Sequence, residues 1–218
     1  MGILEKVGSS EEEFPHGVRI LLSIPDVLSV GSKIIDEIGK KQGHLIAEYT
    51  SKHLPPIVMI QNNEVRFPTI RFWKVRIENE EFLAVSGDDQ PMSTQGMFEI
   101  GYAISKKLLD IKPKEIIVIG TIITEGEKEG SINVIENGKR GPSGEILGLN
   151  GMIPAILYEM SALKYKIITV SLKNPAIVTV EEEEIMNKFL HEIEKIIGGR
   201  IPIQIHNHNE EVEQILHS

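Results

Sequence analysis

The feature that most restricts the fold is a repeated coupling of short apolar runs to segments with helical periodicity. Residues 18–24 form an apolar run closed by Pro25, as a buried strand is, and Asp26 follows as a candidate helix N-cap. Val27, Val30, Ile34, Ile35 and Ile38 then recur at the spacing of one helix face. Further on, residues 82–85 read as a strand and residues 86–91 as a loop. Met97, Ile100, Gly101, Ile104 and Leu108 mark the next helix, and residues 115–119, ending at Gly120, the next strand. That rhythm favours an α/β fold with a mostly parallel central sheet covered by helices.

The intervening segments fit the same scheme. Residues 44–49 read as a strand, and the tandem prolines of Leu54-Pro55-Pro56 require an irregular connector. Residues 57–60, 64–67 and 69–77 follow as successive strands, with Asn62 and Asn63 as a tight turn. A change of phase in the last of these predicts a bulge near Phe72 and Trp73. A glycine-rich, charged region frames a strand at residues 132–135 with surface loops at 126–130 and 137–144. A helix over 150–163 and a strand over 166–172 come next. Thr179 with Glu182 forms a capping box for a final helix whose apolar face is Ile185, Met186, Phe189, Leu190, Ile193 and Ile197. Gly198-Gly199 ends it. The chain therefore divides into one α/β domain, residues 1–199, and a C-terminal tail, residues 200–218. In the tail Ile201, Ile203 and Ile205 alternate before a short helical pattern at 210–216.

Composition narrows the function classes. The chain has 218 residues and no cysteine, which removes disulfides, thiolate nucleophiles and zinc-thiolate sites and fits a reducing cytoplasm. A net charge of −9 repels phosphate backbones, so nucleic acid is not an expected partner. The opening residues lack the pattern of a secretory signal, and no run of about 18 apolar residues marks a membrane span. Thirty-five isoleucines, few aromatics and abundant Glu and Lys resemble the composition of thermophilic proteins.

Candidate chemistry is thin. The turn after the first strand holds Pro25, which has no amide hydrogen, and Asp26, whose charge opposes a phosphate, so a phosphate site is not expected there. Asp88 and Asp89 follow a strand, where α/β enzymes keep catalytic or metal-binding acids. Adjacent side chains point apart, however, and the bland reading is that they lead into the helix near Ser93. The stretch Asn137-Gly-Lys-Arg-Gly-Pro-Ser-Gly144, with Lys139 and Arg140, lacks the Gly-Lys-Ser/Thr ending of a nucleotide loop and reads as a surface loop. His206 and His208 fall short of a metal ligand set and read as solvated. No catalytic residue, metal or cofactor is expected.

Four segments together resemble the proteasome assembly chaperone 2 family, in particular its archaeal members. They are the strand-to-helix entry at residues 20–31, Leu54-Pro55-Pro56 with its short strands, Gly87-Asp88-Asp89-Gln90-Pro91 before a helix, and Gly148-Leu149-Asn150-Gly151 opening another. The resemblance spans residues 18–197. It implies a three-layer α/β/α, nucleoside-phosphorylase-like fold, homo-oligomers, and help in assembling proteasome rings without catalysis. Some members of that family carry a C-terminal tripeptide of hydrophobic residue, tyrosine and any residue that docks between proteasome subunits. The chain departs from that pattern twice: only Gly31 remains of the family's glycine-rich turn, and the last three residues are Leu216-His217-Ser218.

The expected function is a non-enzymatic proteasome assembly chaperone or scaffold that self-associates, with α-type proteasome subunits as partners. Val212, Ile215 and Leu216, on one helical face of the tail, with His217 and Ser218, are its expected docking residues. The alternative is a small-molecule binding protein or an ATP-grasp-like carboxylate-amine ligase. A ligase needs two lysines over the nucleotide and acidic magnesium ligands, a set that this sequence does not present.

Overall fold

The computed structural model describes residues 2–8, 13–61, 64–124, 127–136, 149, 151–174 and 181–203. Among the described residues, ten strands and four helices follow one another as β1 (Glu5–Lys6), β2 (Arg19–Leu22), α1 (Val30–Gln42), β3 (Gly43–Thr50), β4 (Met59–Gln61), β5 (Glu64–Arg66), β6 (Ile70–Ile77) and β7 (Glu80–Gly87), then α2 (Thr94–Asp110), β8 (Glu115–Ile123), β9 (Ile132–Glu136), α3 (Ile153–Glu159), β10 (Tyr165–Leu172) and α4 (Glu182–Ile197). Eight strands form one sheet in the order β1-β3-β6-β7-β2-β8-β10-β9, and β4 and β5 form a separate antiparallel hairpin.

The α/β expectation holds, but the sheet is mixed rather than mostly parallel. Neighbours β7-β2, β2-β8 and β8-β10 run parallel. The other four pairings, β1-β3, β3-β6, β6-β7 and β10-β9, are antiparallel. Connection length decides this, because a parallel neighbour needs a crossover of a dozen or more residues. Only Glu78 and Asn79 separate β6 from β7, with Ile77 opposite Glu80, so the two can only form a hairpin.

Residues alternate between two cores along the strands. Ile20, Leu22, Phe72, Leu83, Val85, Ile116 and Val118 pack with Ile100, Ile104 and Leu108 of α2 and Ile153 and Ile156 of α3. Leu21, Trp73, Val75, Phe82, Ala84, Ile117 and Ile119 pack with Ile34, Ile35 and Ile38 of α1 and Ile185, Phe189 and Ile193 of α4. Each such side chain is worth about 1.5–3 kcal/mol of burial, which explains the near-continuous apolar runs of β2 and β8. Helix α2 meets α3 at Gly101, where a Cβ would lie 2.8 Å from the Cβ of Ala155.

Several element boundaries differ from the sequence reading. Helix α1 starts at Val30, after Ser29 in a left-handed conformation, and Asp26 is not its N-cap. Strand β8 continues through Gly120 to Ile123, where Thr121, Ile122 and Ile123 pair with Val170, Ser171 and Leu172. The bulge lies on the partner strand: the register slips between Leu45 and Ala47 of β3, opposite Trp73 and Phe72, while β6 itself is regular. The apparent change of phase in β6 arises because both of its faces are buried. Helix α3 is shorter than residues 150–163, with Pro154 in its first turn. Helix α4 begins at Glu182 with Glu181 flanking, so Glu182 is not the third helical residue that a box with Thr179 needs, and Thr179 lies outside the described residues.

Candidate functional site

Open α/β sheets bind ligands beyond the carboxyl ends of their parallel strands, where neighbouring connections leave to opposite faces. Here that point lies between β2, which continues into α1, and β8, which continues toward α3. Asp26 occupies it. Its Oδ1 accepts from the backbone N–H of Leu28 (3.1 Å) and Ser29 (3.0 Å), and its Oδ2 accepts from Thr121 N–H at 2.6 Å. Beside it, a Cβ on Gly120 would meet Ile153 Cδ1 at 3.0 Å and Leu149 Cδ2 at 3.7 Å. An acidic side chain that consumes the free amides, with apolar side chains behind it, opposes an anion at this crevice.

Asp88 does not cap the helix that follows it. It belongs to a buried ion network: Arg71 Nη1 lies 2.7 Å from Asp88 Oδ1, and Arg71 Nε and Nη2 donate to the two oxygens of Asp36 at 3.0 and 2.7 Å. Trp73 Nε1 and Ser86 Oγ complete the surroundings of Asp36, and Thr69 donates its N–H to Asp88 Oδ2 at 3.0 Å. Burial works to lower the Arg71 pKa, but the charges of Asp36 and Asp88 and their hydrogen bonds outweigh it and hold the guanidinium above its usual range. Asp89 accepts from Gln90 N–H at 2.7 Å, and Ser93 caps α2 by accepting from Gly96 N–H. The two carboxylates thus have different partners.

The remaining candidates from the sequence, Lys139, Arg140, His206, His208, Val212, Ile215, Leu216, His217 and Ser218, lie outside the described residues. Among the described residues no group of three or more His, Cys, Asp or Glu is placed to hold a metal ion, and no helix is long and apolar enough to cross a membrane. A cavity of about 690 Å³ lies where α4 and the chain after it meet the end of α1. Its lining includes Lys41, Leu190, His191 and Arg200, and neither Asp88 nor Asp89 reaches it. Just past α4 the chain stays fastened to the body: Arg200 N–H donates to Glu78 Oε1, Ile201 N–H donates to Glu194 Oε1 at 2.7 Å, and Ile201 is 2% exposed.

The surface offers what the crevice does not. Ile57, Val58, Ile60, Val65 and Phe67, in and around the β4–β5 hairpin, are exposed, as are Met92, Phe98 and Tyr102 at α2 and Tyr158 on α3. The sequence reading found the hairpin strands but missed that their apolar residues face outward. The available signal was the prolines on either side, Pro55-Pro56 and Pro68, which detach the pair from the main sheet.

No family model and no curated protein matches this chain. Solved structures share its fold, and they include archaeal proteins described by their relation to the proteasome. Pyrococcus furiosus PbaB, an archaeal proteasome activator, superposes with a TM-score of 0.73 at 16% identity, covering 100% of this chain and 98% of that one. Pyrococcus furiosus PbaA, an archaeal homolog of proteasome-assembly chaperone, gives 0.66 at 16% identity over 98% and 89%. A PAC2 family protein from Streptomyces avermitilis gives 0.60 at 12% identity over 87% and 88%. The likeness in fold and the resemblance carried by the sequence segments point to the same group of proteins.

Proposed function

We propose that this chain is a non-enzymatic assembly chaperone or scaffold for proteasome subunits and a cytoplasmic member of the proteasome assembly chaperone 2 family. The observation that carries the reading is the likeness in fold to PbaB, which covers 100% of this chain and 98% of that one. The closure of the strand-end crevice by Asp26 and the exposed apolar side chains around the hairpin support it. The division of the core between α1 with α4 and α2 with α3 supports a three-layer, nucleoside-phosphorylase-like build. The chain acts as a homo-oligomer, and its tail, with Val212, Ile215, Leu216, His217 and Ser218, docks on α-type subunits. His217 takes the place of the tyrosine ring, packs less surface, and makes docking sensitive to pH.

Binding of the full chain to isolated α-type proteasome subunits tests this. Deleting Leu216 to Ser218 is expected to weaken binding at least tenfold, and His217→Tyr to strengthen it. Unchanged affinity in both variants overturns the docking role, and no binding by the parent chain overturns the assembly role. One observation favours the small-molecule alternative: the hydroxyls of Thr169, beside Gly120, and Thr124, just past β8, are buried with no hydrogen-bond partner among the described residues.

A further inference from the structure

We propose that the groove between α4 and the end of α1 receives this chain's own residues 210–216, which are held there until they dock on a subunit. The docking they leave for rests on the proposed function; the contact with the groove does not. The groove encloses about 690 Å³. Its floor is apolar, with Leu190 of α4 and Ile203 of the chain beyond it half-buried. Around that floor stand Lys41 from the last turn of α1, His191 from α4 and Arg200 from the segment after α4, all three exposed. The acid in the lining, Glu194, already accepts from Ile201 N–H.

Lys41 is the exception on its surface. The other lysines of α1 and α4 each meet a glutamate: Lys33 with Glu182, Lys40 with Glu37, Lys188 with Glu184 and Lys195 with Glu192. Among the described residues neither the Lys41 ammonium nor the Arg200 guanidinium has such a partner. On a chain with a net charge of −9, an acidic segment is repelled by most of the surface and drawn to this groove.

The chain supplies that segment itself. Residues 204–218 continue from Ile203, in the wall of the groove, and carry three glutamates with no lysine or arginine. At helical spacing Val212, Ile215 and Leu216 form one stripe, bordered by Glu211 on one side and Glu213 on the other. An apolar stripe edged by carboxylates matches an apolar floor edged by cations. Asn207 and Asn209, both turn formers, fall where the chain has to reverse to bring the stripe back over Leu190. Joined by six residues, the segment acts at an effective concentration on the order of millimolar, which favours it over the tail of a second copy or a free acidic peptide. Its apolar stripe is the one assigned to docking, so groove and subunit compete for it. Exposed ion pairs are individually weak, so the held form exceeds the released form by only a few-fold and a subunit can still draw the tail away.

The test uses the full chain, which has no cysteine, with a nitroxide on Asn187→Cys, an exposed position in the groove lining. The methyl signals of Val212, Ile215 and Leu216 should lose about half or more of their intensity relative to the reduced label. Lys41→Glu with Arg200→Glu should restore them at unchanged circular dichroism, and adding Glu211→Lys with Glu213→Lys should quench them again. The Lys41→Glu, Arg200→Glu chain should also bind isolated α-type subunits about threefold more tightly, because its tail is no longer withheld. Unquenched signals in the parent, or quenching indifferent to charge reversal, overturn the proposal. Mixing nitroxide-bearing chains with isotope-enriched chains that carry none separates the occupants: quenching between chains gives the groove to the tail of a second copy and also overturns it. Restored signals with unchanged subunit affinity overturn the competition. If the signals respond as expected but the parent binds no α-type subunit, the groove contact is supported and the assembly reading fails.

Discussion

Arg71 is a cation that the interior can hold only because carboxylates from α1 and from the end of β7 both reach it. Its side chain is 5% exposed, and removing one partner from such a network leaves charge uncompensated where water cannot enter. Asp88→Asn turns an acceptor into a group that sets an amide against Arg71 Nη1, and a hydrogen bond to a charged group is worth about 1.5–3 kcal/mol. A loss of about 2–3 kcal/mol in urea unfolding is expected for Asp88→Asn. Asp89→Asn should stay within about 0.5 kcal/mol, since an amide oxygen accepts from Gln90 N–H equally well. Equal effects from the two variants would contradict the network. This part of the site was not legible as a loop acid in Gly87-Asp88-Asp89. The sign of it lay elsewhere, in an arginine set between Ile70 and Phe72 in a strand apolar on both sides, which demands buried carboxylates.

Elements were legible where periodicity was strong and illegible where both faces of a strand are covered. α2 and the apolar face of α4 follow from spacing alone, because each presents one stripe to one core. β6 offered no such contrast. Its residues feed both cores, so an even count of apolar side chains on each face resembled a break in phase. The antiparallel half of the sheet was within reach, since the spacing from β6 to β7 is too short for a crossover, but the helix-strand rhythm elsewhere dominated the reading. Helix ends show a further limit. α2 stops without a glycine: Ile111 is its C-cap, and Lys112 takes the left-handed conformation at φ 51°. That conformation costs a side chain about 1 kcal/mol relative to glycine. Lys112→Gly is therefore expected to stabilise the chain by about 0.5–1 kcal/mol, read as a higher urea midpoint with unchanged slope. A lower midpoint would place the lysine side chain in some stabilising contact.

At the scale of the molecule, the hairpin precedes β6 and the chain after α4 is tied to Glu78 just past the far end of β6, about 25 Å away for eight extended residues. The surface is also tuned to charge: Glu99 is held below the usual carboxylate range chiefly by its hydrogen bond with Gln95, Glu136 by Lys166, and Glu184 by Lys188. Carboxylates depressed in the folded chain stabilise it above their unfolded pKa, and the contribution fades as pH falls through the folded values. The melting temperature should therefore be level from pH 7 to 5 and decline below about pH 4.5, and a rise there would contradict these pairs. The boundary between body and tail follows from Ile201. Its side chain packs into the α1–α4 core, and its N–H and that of Arg200 are bound by Glu194 and Glu78, so the structural body extends past Gly199 to at least this residue. Truncation after Ile203 keeps all of these contacts, and if the remaining tail serves docking alone it should leave stability within about 0.5 kcal/mol of the parent. Truncation after Gly199 removes a buried isoleucine and two backbone hydrogen bonds, and should cost about 2–4 kcal/mol. Urea unfolding of the two truncated chains separates the cases: a large loss already on removing residues 204–218 would make the tail part of the fold, and the docking role assigned to Val212, Ile215, Leu216 and His217 would then be wrong.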